Sequence, residues 1–406
     1  MKKIYTFLRV TRVLVLIAAF SLMMVPTGQA AEPVKVSVLT DMSGPYAGIT
    51  AANVEAAKLA IEDFGGKLLG QDIEFVARDN MCKADVANQK AKELYEKEKV
   101  DVIFDCPNSA AGLAVSNQAL LHKRLFVSIG SGTTRHTGPD CNRYTFDWAY
   151  NDYMMATAVG LWAAENLGKR WYTITADYAW GHDLFEHFTH ALKSKGGTLL
   201  GNDMVALGTS DFSPYIIKAK NADPDVLVLL NAGKDAVNAT KQAREFGLKK
   251  TAKIIHALLF IEGIKAVGDV FADDYVTGAW YWKSKNPGSR EFVNKWQTKF
   301  NKPPNWMNAA TYSAVTQYLK AVDRVGSKAP EAVIKALEGH TFNDLLADPG
   351  YIRPEDHMQV GSAYILRAKK SKEVTEAWDF FEIIDEIPAE KAYMDAAKTD
   401  CEMGGF

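Results

Sequence analysis

The chain has 406 residues, 47 Lys and Arg against 49 Asp and Glu, 48% hydrophobic residues and 4 cysteines. That length accommodates two ordinary domains, and the composition excludes a disordered or fibrous chain. A formal charge of −2 supplies no large basic surface, so nucleic acid is not an expected partner, because phosphate binding is driven by clustered Lys and Arg.

In chain order, a targeting segment comes first. Residues 1–12 carry Lys2, Lys3, Arg9 and Arg12 and no acid, and VLVLIAAFSLMMV (13–25) is a 13-residue apolar run, the length of a signal peptide rather than of a membrane span. Pro26 ends the run, and Gly28-Gln29-Ala30 offers small residues where a signal peptidase reads, so cleavage is expected after Ala30. The residue directly after that point is Ala31, not a cysteine, so no lipoprotein anchor is indicated, and no later stretch approaches a membrane-spanning apolar length. The mature chain is expected to be soluble and exported. Losing four basic residues leaves 43 Lys and Arg against 49 acids, a net charge of −6.

From Val34 onward β-branched runs alternate with amphipathic stretches. VKVSVLT (34–40) predicts a strand, and after a Ser43-Gly44-Pro45 turn Val54, Ala57, Ile61 and Phe64 share one helical face. IEFVARD (73–79), a charged helix over 83–98, VDVIFD (100–105), a helix opening at Asn108-Ser109 and LFVSIG (125–130) follow. Strand-then-helix units in a row predict a parallel sheet covered by helices on both faces. The pattern restarts with an Ala- and Met-rich helix (152–167), then RWYTITAD (170–177), a helix (182–195), a short run at 203–207, a helix (211–221), DVLVLLN (225–231), a helix (234–246) and AKIIHALL (252–259). This second α/β unit predicts two lobes. The link FDWAYNDY (146–153) is aromatic rather than Gly- or Ser-rich, so it reads as a buried hinge. Beyond residue 280 come a helix with Trp296 (288–300), the Pro303-Pro304 break, helices at 308–325 and 329–338, and hairpin-like strands near 351–368 and 380–385, which are expected to complete the two lobes.

All four cysteines, Cys82, Cys106, Cys141 and Cys401, lie beyond the cleavage point, and in an oxidising compartment an even number reads as disulfides. Three pairings are possible. Cys82 and Cys106 each follow a β-like run with one helix between them, so their strand ends are candidates for neighbours; this favours Cys82–Cys106 and, by elimination, Cys141–Cys401. Wide spacing and the lack of a CxxC pair argue against a metal site.

Enzyme readings find little support. His182, Glu186 and His190 recur at i, i+4, i+8 with His187 beside them, but this is not HExxH and reads as a solvated helix face. Gly130-Ser131-Gly132 has neither the spacing of a nucleophile elbow nor the third glycine of a dinucleotide fingerprint, Arg135 standing where that glycine belongs. A binding reading fits better. In doubly wound sheets ligands sit beyond the carboxyl ends of strands, where helix N-termini present free N–H groups. Those ends carry Ser43-Gly44-Pro45-Tyr46, Pro107-Asn108-Ser109, Ser131-Gly132-Thr133, Asp177-Tyr178-Ala179-Trp180 and Asn231-Ala232-Gly233. Hydroxyls and amides of this kind suit a small anion and aromatic walls suit an apolar body.

KVSVLTDMSGPYAG, the Cys82…Cys106 spacing, NSAAGLAVSNQA, the Asp177-Tyr178-Ala179-Trp180-Gly181 turn, QAREFGL (242–248) and NAATYSAVTQYLKAV (308–322) together resemble the periplasmic leucine/isoleucine/valine-binding family of ABC-transporter solute receptors, over essentially all of 34–385. The resemblance implies the type I periplasmic binding protein fold: two Rossmann-like α/β lobes joined by three hinge crossings, at 146–151, at Gly278 to Trp282 and near 353–359, with ligand captured as the lobes close. Expected boundaries are a signal peptide at 1–30, lobe 1 at 31–147 and 280–355, and lobe 2 at 148–279 and 356–406. It also implies a Cys82–Cys106 disulfide, a carboxylate held at positions matching Asn108/Ser109 and Ser131–Thr133, and a side chain packed on aromatics matching Trp180 and Tyr312. The family's acid for the ligand ammonium maps near Ala257-Leu258, where HALLFI has no acid before Glu262, and a buried ammonium without a partner is costly. Aromatics meanwhile gather near the hinge (Trp148, Tyr150, Tyr153, Trp180, Trp280, Tyr281, Trp282), and Arg135 is a possible counter-charge just past the anion loop.

The function expected from these readings is a periplasmic receptor that captures a small carboxylate with an apolar or aromatic body by lobe closure and delivers it to an ABC permease of the inner membrane. The alternatives are a branched-chain or other amino-acid receptor of the same class and, in another class, a secreted hydrolase or metal enzyme. Tyr46, Asn108, Ser109, Ser131, Thr133, Tyr150, Trp180, Asn231 and Tyr312 are the expected ligand-binding residues, with no catalytic residue, no metal and no cofactor. The protein is expected to act as a monomer.

Overall fold

In the computed structural model, residues 32–406 are described; the targeting segment and the cleavage point expected after Ala30 lie outside the described residues. The apolar runs of the first half form strands buried between helical layers, as β-branched side chains favour. Lys35–Thr40 (β1), Glu74–Asp79 (β2), Val102–Asp105 (β3), Leu125–Ser128 (β4) and Thr145–Asp147 (β5) make a parallel sheet in the order β2-β1-β3-β4-β5. Helices Asn53–Asp63 (α1), Ala84–Glu93 (α2) and Ser109–His122 (α3) connect them.

A second sheet contains Arg170–Ala176 (β6), Thr198–Val205 (β7), Val226–Leu230 (β8), Lys253–His256 (β9), Tyr275–Gly278 (β10), Ala363–Ala368 (β11) and Phe381–Ile387 (β12), in the order β12-β11-β10-β9-β8-β6-β7. It is parallel from β6 to β10, and the two late strands add to one edge in antiparallel fashion. Its helices include Asp152–Asn166 (α4), Ala179–Ser194 (α5), Ser213–Asn221 (α6), Gly233–Glu245 (α7) and Ile261–Val267 (α8). Ser289–Phe300 (α9), Trp306–Val325 (α10) and Pro330–Leu337 (α11) complete the main helices. The late sequence is divided: α10 packs on the first sheet, where Tyr318 meets Phe104 edge to face at 5.8 Å, whereas β11 and β12 extend the second.

The chain passes between the sheets three times. The first passage follows β5 and contains Trp148 and Tyr150, each 1% exposed; the second follows β10 and contains Trp280. The third lies between Gln359–Val360 and β11, next to a bridge that pairs Met358 with Asp147 at the end of β5. Hydrogen bonds knit the passages: the Ala149 amide donates to Gln359 Oε1 (3.0 Å) and Tyr393 donates to the Ala149 carbonyl (2.8 Å).

One expected disulfide is present and one is not. Cys141 and Cys401 are bonded with Cα atoms 5.6 Å apart, which pins the C-terminal tail beside the segment after β4. Cys82 and Cys106, in contrast, are buried free thiols. The expectation of adjacent strand ends is overturned by the sheet order, since β1 stands between β2 and β3; Asn80 stands between the two loops, its Oδ1 accepting the Cys82 N–H at 2.9 Å. Asn80 Nδ2 donates to the Cys106 sulfur at 3.2 Å, and burial pushes the Cys82 thiol up to about 12.

Candidate functional site

The carboxyl ends of strands from both sheets face one narrow cavity. From the first sheet come Tyr46, Pro107, Asn108, Ser109 and Gly130; from the second come Tyr178, Trp180, Ala232, Leu258 and Phe260; Tyr150 arrives from the first passage and Met307 from the start of α10. The walls are chiefly apolar and aromatic with a few polar groups, the composition of small-molecule sites. Trp180 stacks on Tyr178 with ring centroids 5.9 Å apart, and Trp306 lies between Tyr150 (4.7 Å) and Phe260 (5.6 Å). Tyr46 and Tyr178 join the two sides through their hydroxyls at 2.6 Å. An apolar hollow that shares Ile49, Leu258 and Phe260 adjoins the cavity.

The loop after β3 is built under strain. Asp105, Cys106 and Asn108 have φ of 80°, 87° and 83°, a left-handed conformation that costs non-glycine residues about 1–3 kcal/mol each. That path brings Ser109, the first residue of α3, to the cavity wall, and its buried Oγ has no hydrogen-bond partner among the described residues. Asn108 caps the helix by accepting the Ala111 N–H at 3.2 Å. The earlier amides of a helix lack internal acceptors and carry partial positive charge, so Ser109 sits in a place suited to an anion. Beneath it, Asp105 Oδ2 accepts from Asn53 Nδ2 at 2.8 Å, and burial pushes this carboxyl up to about 6 against the pull of that bond.

The loop after β4 is occupied by the protein itself. Ser131 Oγ lies 2.9 Å from His136 Nε2, and burial lowers this imidazole to about 4. Thr133 Oγ1 and the Thr134 N–H donate to Asp183 Oδ2 at 3.1 and 2.7 Å, and Thr134 Oγ1 donates to Oδ1 at 2.9 Å. His187 Nε2 stands 3.1 Å from the same Oδ1. Burial opposes ionisation of Asp183, but His187 and the Thr134 donors outweigh it and hold the carboxyl below its usual range. Gly132 is required here, because a Cβ would fall 2.4 Å from Asp152 Oδ1. Burial, reinforced by Asp183, pushes Asp152 well above the carboxylate range.

Of the residues expected from sequence, Tyr46, Asn108, Ser109, Tyr150 and Trp180 therefore lie together around one cavity. Ser131 and Thr133 sit in the neighbouring loop with their hydroxyls engaged. Asn231 is buried next to the lining residue Ala232, and neither atom of its amide has a partner among the described residues. Tyr312 is elsewhere: its hydroxyl donates to Asp63 at 2.7 Å and its ring packs on Phe292 at 4.8 Å, so the expectation that it lines the cleft is corrected. The helical phase of α10 turns Met307 to the cavity instead. Tyr178, Leu258 and Phe260 were within reach of the strand-end rule, since they follow β6 and β9; Met307 carried no signal. Arg135 pairs with Asp140 and is not at the cavity.

Residues 33–373 match the model of the periplasmic binding protein family. A curated relative, Leu/Ile/Val-binding protein homolog 4 of Brucella abortus (strain 2308), is 24% identical over 348 residues, covering 81% of this chain and 82% of its own. A crystal structure of a periplasmic binding protein from Burkholderia mallei is 36% identical with a TM-score of 0.87, covering 91% of this chain and 99% of its own. A solute-binding protein of an ABC transporter from Rhodopseudomonas palustris BisB5, solved in complex with 3,4-dihydroxybenzoic acid, is 25% identical with a TM-score of 0.80, covering 88% and 98%.

Proposed function

This chain belongs to the periplasmic binding protein family, and we propose that it is the exported receptor for a small aromatic or apolar monocarboxylate, which it hands to an ABC permease of the inner membrane without transforming it. The observation that carries the reading is Ser109: an unpartnered buried hydroxyl at the start of a 14-residue helix, in a cavity otherwise walled by Tyr46, Tyr150, Tyr178, Trp180 and Phe260. A carboxylate would accept from Ser109 and the first amides of α3, and an aromatic body would lie between the rings. A relative that binds 3,4-dihydroxybenzoic acid supports that chemistry. In this reading residues 31–147 with 280–355 form one lobe, 148–279 with 356–406 form the other, and the chain works as a monomer in the periplasm after losing residues 1–30. Closure of the lobes on the solute produces the shape that the permease reads.

An amino acid is the second reading, and Glu262 favours it. Its Oε1 accepts from Asn305 Nδ2 at 3.2 Å and lies 3.9 Å from Lys302 Nζ, its Oε2 is buried without a hydrogen-bond partner among the described residues, and it lines the apolar hollow beside the cavity, where that oxygen is placed to meet an ammonium group. Thermal unfolding of the mature chain with 3,4-dihydroxybenzoate, benzoate, leucine and phenylalanine separates the two. A matching solute at a hundredfold its Kd adds about 2.7 kcal/mol of stability. The aromatic acids are expected to give that shift; a shift with leucine and none with either acid would replace the first reading with the second. Recovery of unchanged solute from a protein free of stoichiometric metal is the outcome expected of a receptor and not of a secreted hydrolase or metal enzyme.

A further inference from the structure

Two adjacent loops of the first sheet offer hydroxyl and amide donors at the cleft, and they differ in what their donors meet. The donors at 133–134 converge on one carboxylate. Thr133 Oγ1, the Thr134 N–H and Thr134 Oγ1 lie 3.1, 2.7 and 2.9 Å from the oxygens of Asp183, with His187 Nε2 at 3.1 Å. The Thr residues follow β4 of the first sheet, whereas Asp183 and His187 are carried by α5, which follows β6 of the second. Asp183 is largely buried, at 14% side-chain exposure, and its neighbour His187 is at 12%. Backbone N–H, two hydroxyls and an imidazole around one carboxylate make the donor set of a carboxylate-binding site.

We infer that Asp183 is a built-in anion that fills the 133–134 loop, so that this loop fastens the two sides of the cleft to each other and is withdrawn from solute binding. The solute is then read at the α3 start alone as far as its negative charge is concerned. A second anionic group aimed at 133–134 meets the carboxylate of Asp183 and is rejected. The assignment goes beyond the aromatic reading of the solute and does not depend on it.

Chemical rescue tests this on the full mature chain. Asp183→Ala removes the carboxylate and leaves room for a small one, so its melting temperature should fall by a few degrees. Sodium acetate should then restore at least half of the loss in a saturable manner, and sodium chloride at equal ionic strength should not. Wild-type protein should respond equally to the two salts. Asp183→Asn, which keeps the space filled, should be destabilised but insensitive to acetate, and adding Thr133→Ala and Thr134→Ala to D183A should abolish the rescue. If D183A does not fold alone, acetate-dependent recovery of its circular dichroism is the same readout. The inference is overturned if acetate acts no better than chloride on D183A, or if wild-type protein shows the same acetate shift. Because acetate probes the loop and not the aromatic cavity, a failed rescue leaves the receptor reading standing, and a failed aromatic-acid screen leaves this one.

Discussion

The loops after β3 and β4 are neighbours in one sheet, and both end their strands in small polar residues, yet they do opposite work. At 105–109 a strained backbone presents Ser109 Oγ to the cavity without a hydrogen-bond partner among the described residues. At 131–134 every hydroxyl has an internal partner, Ser131 with His136 and both threonines with Asp183. Equal local chemistry thus yields an open seat in one loop and a filled one in the other. The difference is set by α5, which delivers a carboxylate to the second loop and an aromatic wall, Trp180, to the first.

The largest expected effect concerns how firmly the filled loop is fixed. Cys141–Cys401 closes 260 residues and ties the tail to the segment that follows that loop. Removing it as Cys141→Ser with Cys401→Ser should cost about 2–5 kcal/mol, chiefly through greater freedom of the unfolded chain. Urea unfolding measures the loss. Hydrogen exchange should accelerate more at Thr134 than at Ala111, and equal acceleration would show that the two loops are not independently anchored.

Proton linkage separates the loops next, through Asp105 in one and His136 in the other. Asp105, under the open loop, keeps its proton up to about pH 6, whereas an unfolded Asp releases it near 3.9. The folded state therefore binds more protons in that window, and this contribution is lost as pH rises from 4 to 6. His136, in the filled loop, stays neutral down to about pH 4, whereas an unfolded His takes a proton near 6.5. Its contribution is full above 6.5 and lost as pH falls. Each shift is worth on the order of 3 kcal/mol across its window, and the two oppose each other. Asp105→Asn should make stability fall more steeply with acid than in the wild type, and His136→Gln should make it fall as pH rises toward 6. Slopes that stay parallel to wild type in both variants would discard the assignment.

Much of this was legible in the sequence, and the failures share a cause. Strand and helix periodicity identified the two α/β units because inner strands such as Val102–Asp105 and Val226–Leu230 are buried throughout and read as continuous apolar runs. The strand-end rule pointed to Tyr46, Asn108, Ser109 and Trp180 because a parallel sheet places all such ends on one side. It could not tell the open loop from the filled one, since the partner of Thr133 lies 50 residues away on α5, a helix that follows a strand of the other sheet. Cys82–Cys106 failed for the same kind of reason: strand order, not strand sequence, decides which ends are adjacent. Tyr312 failed on helix phase: it lies five residues beyond Met307 on α10, which is not a whole number of turns, and so faces Asp63 rather than the cavity.

The smallest effects come from single hydroxyls, and they give the sharpest contrast between the loops. Ser109→Ala deletes a buried group that has no hydrogen-bond partner among the described residues, so stability should be unchanged or slightly higher. Affinity for a bound carboxylate should fall by about tenfold or more, the worth of a hydrogen bond to a charged group. Thr133→Ala deletes a donor to Asp183 and should lower stability by about 1–2 kcal/mol. It should leave the affinity for a monocarboxylate nearly as it was, because that donor is not offered to the solute. Calorimetric titration of 3,4-dihydroxybenzoate into both variants, alongside their urea midpoints, places each on a plot of affinity against stability. The two should fall on different axes. If T133A loses affinity as much as S109A while keeping its stability, the donors of the second loop reach the solute after all, and the two loops form one seat.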